Sequence, residues 1–220
     1  MTNMAEVHIV GQLVGASDFP LPNIFVKYSF EAGSNFRLLQ GHTAGQTHCD
    51  LPQVCADLPS FFWLPANATL PHCQGAYRLP GCARCRRSRR AYALQEGEMA
   101  LLAHPVDVHY AVKGIDGWPR LRLEVYGVDA YGRIELAGYG CCIVPTAAGT
   151  HEVRCATWRP CGSMREQFSS FFLGGGPRLK HKELITSASD RFRLQTEPAG
   201  EVLLKLSVLP KDLARYGVLC

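Results

Sequence analysis

Three observations predict an all-β protein folded as a single antiparallel β-sandwich. Residues Arg120 to Tyr126 (RLRLEVY) alternate charged and apolar side chains, the period of an extended strand with one oily face and one wet face. Eight or nine such runs recur at fairly regular spacing, separated by Gly, Pro and Asn turn signals. No strand run alternates with helical periods, so nothing in the pattern asks for a parallel, doubly wound sheet.

Taken in order, Glu6 to Val14 (EVHIVGQLV) predicts the first strand, with Gly11 as a bulge or point of close approach. After the loop 15–22, Asn23 to Phe30 puts Ile24, Val26, Tyr28 and Phe30 on one face and Lys27 and Ser29 on the other. Phe36 to Leu39 and Gln46 to Asp50 are shorter strands. Alternation resumes at Pro105, where Val106, Val108 and Tyr110 oppose Asp107 and His109. Gly117-Trp118-Pro119 then leads into the strand at Arg120. The glycine-bracketed loop Gly127 to Gly132, which holds Asp129 and Tyr131, leads out into a second long strand, Arg133 to Val144, stopped by Pro145. These two strands should form the centre of an antiparallel sheet. His151 to Thr157 is the next strand.

The period changes near 163–173. Ser163 caps, Glu166 follows three residues on, and Met164, Phe168, Phe171 and Phe172 approximate one helical face. Gly174-Gly175-Gly176-Pro177 ends that short helix. Ser189 to Thr196 and Glu201 to Leu209 (EVLLKLSVL) are the last strands, and Lys211 to Tyr216 is a closing helical turn. Pairing of the last strand with an early one would make the chain one folding unit.

A chain of 220 residues can bury a core without covalent staples. It has no apolar run of about 18 residues, and its start, MTNMAEVHIVGQ, lacks the basic and apolar regions of a secretion signal. A cytosolic protein is expected, in which the ten cysteines are mostly buried thiols and the sequon Asn67-Ala68-Thr69 is idle. The net charge of +4 invites a nucleic-acid reading, but Val54 to Gln95 alone carries six Arg against one acid, Asp57. The +4 total less that +5 leaves −1 elsewhere, so no nucleic-acid partner is expected.

That segment, 54–95, has four prolines and four cysteines and follows neither period. Its Cys82-Ala83-Arg84-Cys85 has zinc-like spacing, with His72, Cys73 and Cys55 upstream, but a tetrahedral site needs two such pairs converging. Calcium docking at the end of a sandwich needs several carboxylates; Asp116 and Asp129 supply one per loop, Asp18 and Asp190 are remote, and there is no Asp-x-Asp. Cys141 and Cys142 lie mid-strand beside Ile143 and Val144, which reads as structural thiols, not as nucleophiles served by His104, His109 or His151. The triple glycine follows a helix, whereas a phosphate loop precedes one. No enzyme activity, metal or cofactor is predicted.

Trp118-Pro119-Arg120 and Trp158-Arg159-Pro160 place an aromatic anchor beside Arg, the residue mix of protein interfaces. A tryptophan plugging one end of the core fits Trp118 equally well, and is the better reading of Trp158. With Asp129 and Tyr131, the residues Trp118, Pro119, Arg120, Trp158 and Arg159 are the candidate partner-contact or loop-framework positions.

The residues that make the chain familiar are Lys113-Gly114-Ile115-Asp116-Gly117-Trp118-Pro119-Arg120-Leu121, Leu136-Ala137-Gly138-Tyr139-Gly140, Gly149-Thr150-His151, Thr157-Trp158-Arg159-Pro160, Phe172 to Pro177 and Arg215-Tyr216-Gly217-Val218. On these the chain resembles the B9 domain family, whose members look like divergent C2-type sandwiches. The resemblance covers nearly everything from residue 4 to 220 except 54–95. That stretch departs from the family and reads as translated intron, since Gln53-Val54-Cys55 can be encoded CAG-GTG-TGC and Leu94-Gln95 can be encoded CTG-CAG.

What the resemblance implies is a non-enzymatic scaffold of the tectonic-like complex at the ciliary transition zone and basal body. Its partners would be other B9 domain proteins and the membrane proteins of that complex, in an assembly that supports ciliogenesis and limits membrane-protein diffusion into the cilium. A calcium-independent module that meets a membrane surface through its loops is the alternative.

Overall fold

Strand β1 (Ala5–Ser17) shows why these residues form strands. Ala5, Val7 and Ile9 are buried while Glu6, His8 and Val10 are half-buried, the alternation that a pleated chain imposes when one face meets a core. The computed structural model describes residues 4–21, 23–50, 99–129, 132–162, 176–187 and 194–213. Within them follow β2 (Ile24–Glu31), β3 (Phe36–Gly41), β4 (Ala44–Gln46), β5 (Met99–Val112), β6 (Arg120–Val128), β7 (Ile134–Ile143), β8 (Gly149–Pro160) and β9 (Thr196–Lys211). A 3-10 turn, Lys182–Ile185, is the helical element described in full.

The nine strands make one antiparallel sheet of order β3-β5-β1-β9-β8-β7-β6-β2-β4. Although β5 and β2 lie near opposite ends of that order, Tyr28 on β2 packs on His104 of β5 with ring centroids 5.5 Å apart. The sheet is therefore curled over on itself, five strands (β3-β5-β1-β9-β8) facing four (β7-β6-β2-β4). The fold line is the β7–β8 ladder, which has only two pairs, Tyr139↔Trp158 and Gly140↔Thr157. On the opposite side the chain itself crosses between layers, since β3 passes into β4 through His42 and Thr43.

One core fills the curl. Val7, Ile9, Val108, Leu204 and Leu206 from the five-stranded layer share a buried cluster with Ile24, Val26, Leu121 and Leu123 from the other, each fully buried. Burial of such a side chain is worth roughly 1.5–3 kcal/mol. β1 sits between β5 and β9, antiparallel to both, so the first and last strands of the fold are hydrogen-bonded from Glu6↔Lys211 to Ser17↔Glu201. The expected closure between an early strand and the last one is thus present among the described residues. β6 and β7 are likewise paired antiparallel inside the sheet, from Arg120↔Ile143 to Val128↔Ile134.

Several boundaries differ from the sequence reading. β5 starts at Met99, ahead of the expected Pro105, because Met99 to Leu102 are apolar on both faces and hide the period. Pro105 lies beyond Val108, the last β5 residue paired with β3, where no described strand pairs with that side of β5 and a proline is tolerated. β9 is one strand from Thr196, unbroken by Pro198-Ala199-Gly200; Pro198 lies opposite Trp158, next to an irregularity in β8. β4 occupies Ala44–Gln46, upstream of the expected Gln46 to Asp50. The helix expected at 163–173, the segment 54–95 and most of the closing turn after Leu213 lie outside the described residues.

The chain leaves the described fold at Asp50 and re-enters at Met99. These two points adjoin: the Leu101 amide donates to Asp50 Oδ2 at 2.9 Å.

Candidate functional site

At one end of the sandwich the loops after β2 and β5 cross with almost no separation. Gly33 N donates to Gly117 O at 2.8 Å, and a Cβ on Gly117 would stand 2.6 Å from Gly33 Cα. Gly117 also takes φ +81°, which an L side chain resists, so both reasons demand glycine there. The crossing sets the next residue over the core. Trp118 is half-buried, edge-on to Phe36 with centroids 5.6 Å apart, and its Nε1 donates to Val144 O at 2.8 Å. Pro119 is buried, and its carbonyl accepts from Val144 N at 3.2 Å. The pair thus clasps the β7–β8 loop from both sides.

The second constellation sits at the fold line. Gly138 and Gly140 let β7 approach its neighbours: an added Cβ would lie 3.1 Å from Ala199 Cβ and Thr157 Oγ1 in the first case, and 3.0 Å from Cys155 Sγ in the second. Thr157 is buried and its hydroxyl donates to Gly200 O at 2.6 Å, tying β8 to β9 at the same level. Between the glycines, Tyr139 turns to the outer face, where it forms a separate buried cluster with Trp158 and Ile185. Its ring is 5.7 Å from that of Trp158.

The segment 176–187 covers this outer face and is pinned along its length. Arg178 donates to Ile134 O at 3.0 Å, and Leu179 N donates to Tyr139 Oη at 3.2 Å. Ile185 is buried in the cluster, and Arg120 Nη1 donates to Thr186 O at 3.0 Å. In the middle, Lys182 Nζ reaches Glu124 at 2.9 Å.

Glu124 lies on the outer face of β6, only 5 % exposed. It also accepts from Tyr126 Oη at 2.7 Å, and Arg122 stands at 4.0 Å. Burial pushes its carboxyl up, but the hydrogen bonds from Lys182 and Tyr126 and the charges of Lys182 and Arg122 outweigh this and hold it below the usual carboxylate range. The Tyr126 hydroxyl is pushed up in turn, by burial and by its bond to Glu124. Arg122 is shared with Glu31 on β2. This network fastens a segment to a sheet; it offers no nucleophile beside a base.

The sequence candidates thus fall in three places. Trp118 and Pro119 close one end, with Arg120 beside them holding Thr186. Trp158 joins the fold-line cluster, and its neighbour Arg159 is exposed, paired with Glu197 at 2.9 Å. Asp129, at the other end, receives Arg133 N and Nε, both at 2.8 Å, which closes the β6–β7 turn. Tyr131 lies outside the described residues. The segment 176–187 links Arg120 to the Trp158 cluster. Sequence reading missed Glu124, Lys182, Tyr139 and Ile185 as a set, because they meet on one outer face from positions far apart in the chain and leave no local period. The one signal available was Glu124 itself, an acid among the arginines of β6.

On the outer face of the five-stranded layer, His8 and His109 lie directly opposite across β1 and β5, their rings 5.0 Å apart. His8 Nε2 meets Asp107 at 2.7 Å and His109 meets Glu6 at 3.4 Å. Among the described residues no group of three or more His, Cys, Asp or Glu side chains converges as a metal site. No described helix is long and apolar enough to cross a membrane.

The model of the B9-C2 family, described as "Ciliary basal body-associated, B9 protein", matches residues 7–80 and 81–209. Among curated proteins, the B9 domain-containing protein 2 of Bos taurus is 41 % identical over 217 residues, covering 99 % of this chain and all of its own. That of Danio rerio is 38 % identical over 215 residues, 98 % of this chain and 99 % of its own. A shorter similarity reaches B9 domain-containing protein 1 of Mus musculus, 30 % identical over 114 residues, 51 % of this chain and 56 % of the relative.

Proposed function

The chain belongs to the B9 domain family, and on that premise we propose that it is a non-enzymatic scaffold protein at the base of the cilium. The observation that carries this reading is the near-complete overlap with B9 domain-containing protein 2, from end to end of both chains. The residues of the family resemblance also hold the sandwich together: Gly117-Trp118-Pro119 at one end, Gly138-Tyr139-Gly140 and Trp158 at the fold line.

In finer terms, the protein acts in the tectonic-like complex of the transition zone, where it joins other B9 domain proteins and membrane proteins. There it supports ciliogenesis and the barrier to membrane-protein diffusion. Its work is to present rigid surfaces: Arg120, exposed and holding Thr186 beside Ile185, and Arg159, exposed and paired with Glu197, are the positions where a related sandwich could dock. The segment 54–95 is an addition to that domain, derived from intron sequence, and is not needed for assembly.

Co-purification with the other two B9 family proteins tests this. Full-length chain and a version lacking 54–95 should both elute with them as one complex, and both should concentrate at the ciliary base. Failure of both versions to form a complex in the presence of both partners overturns the scaffold reading, and failure of one alone overturns the dispensability of 54–95. Flotation of the purified chain with phospholipid vesicles, without those partners, would favour a peripheral membrane module instead.

A further inference from the structure

Cys142 on β7 and Cys155 on β8 face one another across the fold line. The β7–β8 ladder pairs Tyr139 with Trp158 and Gly140 with Thr157. Counting two residues further in the same register puts Cys142 opposite Cys155, just where the ladder ends and the strands part into different layers. Both side chains point inward. Cys142 is paired with Leu121 on β6 and Cys155 with Val202 on β9, and all four belong to the main core. Cys141, one residue earlier, faces the outer cluster of Tyr139 and Trp158.

The thiols touch. The Cys155 thiol donates to Ala156 O at 3.8 Å, and its proton affinity is set by Cys142 and by the Cys141 backbone. Gly140 makes room, since a Cβ there would press on Cys155 Sγ at 3.0 Å. The hydrogen bond from Cys142 holds the Cys155 thiol below its ordinary range against the opposing effect of burial. The same bond, with burial, pushes Cys142 up.

We propose that Cys142 and Cys155 form a peroxide-sensitive dithiol that closes into a disulfide across the seam between the two layers. The Cys155 thiolate attacks hydrogen peroxide, breaking the O–O bond; the sulfur becomes sulfenic acid and hydroxide leaves, taking up the thiol's proton as water. Cys142 sulfur then attacks the sulfenic sulfur, its proton departs with the hydroxyl as a second water, and the S–S bond forms. Two thiols lose two electrons in all, and one peroxide gains them. Burial excludes bulky oxidants, and peroxide reaches the pair when the two-pair ladder opens locally.

The test treats the folded full chain with hydrogen peroxide, alkylates remaining thiols and maps linked peptides by fragmentation mass spectrometry. The expected result is a Cys142–Cys155 link that survives in Cys141→Ser, disappears on reduction, and raises the melting temperature by roughly 5–10 °C. In Cys142→Ala, Cys155 should instead be captured as sulfenic acid by dimedone. Free Cys142 and Cys155 after peroxide treatment overturn the proposal, as does a link that runs through Cys141. The wild-type map decides the matter by itself should Cys142→Ala not fold.

Discussion

Glu124 is an acid placed by strand alternation on a face that another segment then covers. Three neighbours make that tolerable: Lys182 at 2.9 Å, Tyr126 at 2.7 Å and Arg122 at 4.0 Å. Because they hold its carboxyl below the usual range, folding is favoured by ionisation. That contribution is fully present above the unfolded-state value of about 4.3 and is lost as the pH falls through the folded-state value. Glu124→Gln should therefore lower stability by about 1–2 kcal/mol at pH 7, with Lys182 half in solvent limiting the effect. Urea midpoints of the two proteins should converge in acid; a difference that persists unchanged at pH 3 would contradict the role of the charge. Asp129 shows the contrast: it closes its own turn on Arg133 within the loop, and that local bond needs no tertiary context to be suspected from the bracketing glycines.

Among elements, the 3-10 turn Lys182–Ile185 depends most on what lies beneath it. Ile185 is 1 % exposed against Tyr139 and Trp158, so Ile185→Ala should cost about 2–4 kcal/mol. It should also speed proteolytic cleavage within 176–187, while a surface change such as Glu183→Ala should not. Cleavage at an unchanged rate in Ile185→Ala would mean that the polar pins alone hold the segment. This turn was invisible in the sequence because one buried residue gives no period, whereas β6 and β9 announced themselves through long alternation. The first half of β5 and the continuity of β9 were obscured for opposite reasons. Met99 to Leu102 is apolar on both faces, and Pro198-Ala199-Gly200 imitates a turn where pairing with β8 keeps the chain extended. The glycines of Gly138-Tyr139-Gly140 were legible as a motif, but that they mark the fold line could be seen only once β7 and β8 were set side by side.

For the whole molecule, stability is distributed unevenly around the curl. β1 is paired on both sides along nearly its full length, while the layers meet at β7–β8 through two pairs. Native-state hydrogen exchange should find the slowest amides in β1 and the facing parts of β5 and β9. Amides of Tyr139, Gly140, Thr157 and Trp158 should exchange earlier, through opening of the seam. Equal protection in both regions would show that the curl opens only by global unfolding. The long-range pairing of first and last strands also predicts folding in the slow range of β proteins, since that loop must close before the pair forms.

The hydrogen bond from Leu101 N to Asp50 Oδ2 has a practical consequence. The two ends of whatever is encoded between Asp50 and Met99 are held at one spot, where the chain enters β5. Extra sequence there adds chiefly loop-closure entropy, about 0.6 kcal/mol for each doubling of length. The position is thus a natural point at which to add a fluorescent reporter or an affinity handle within 54–95.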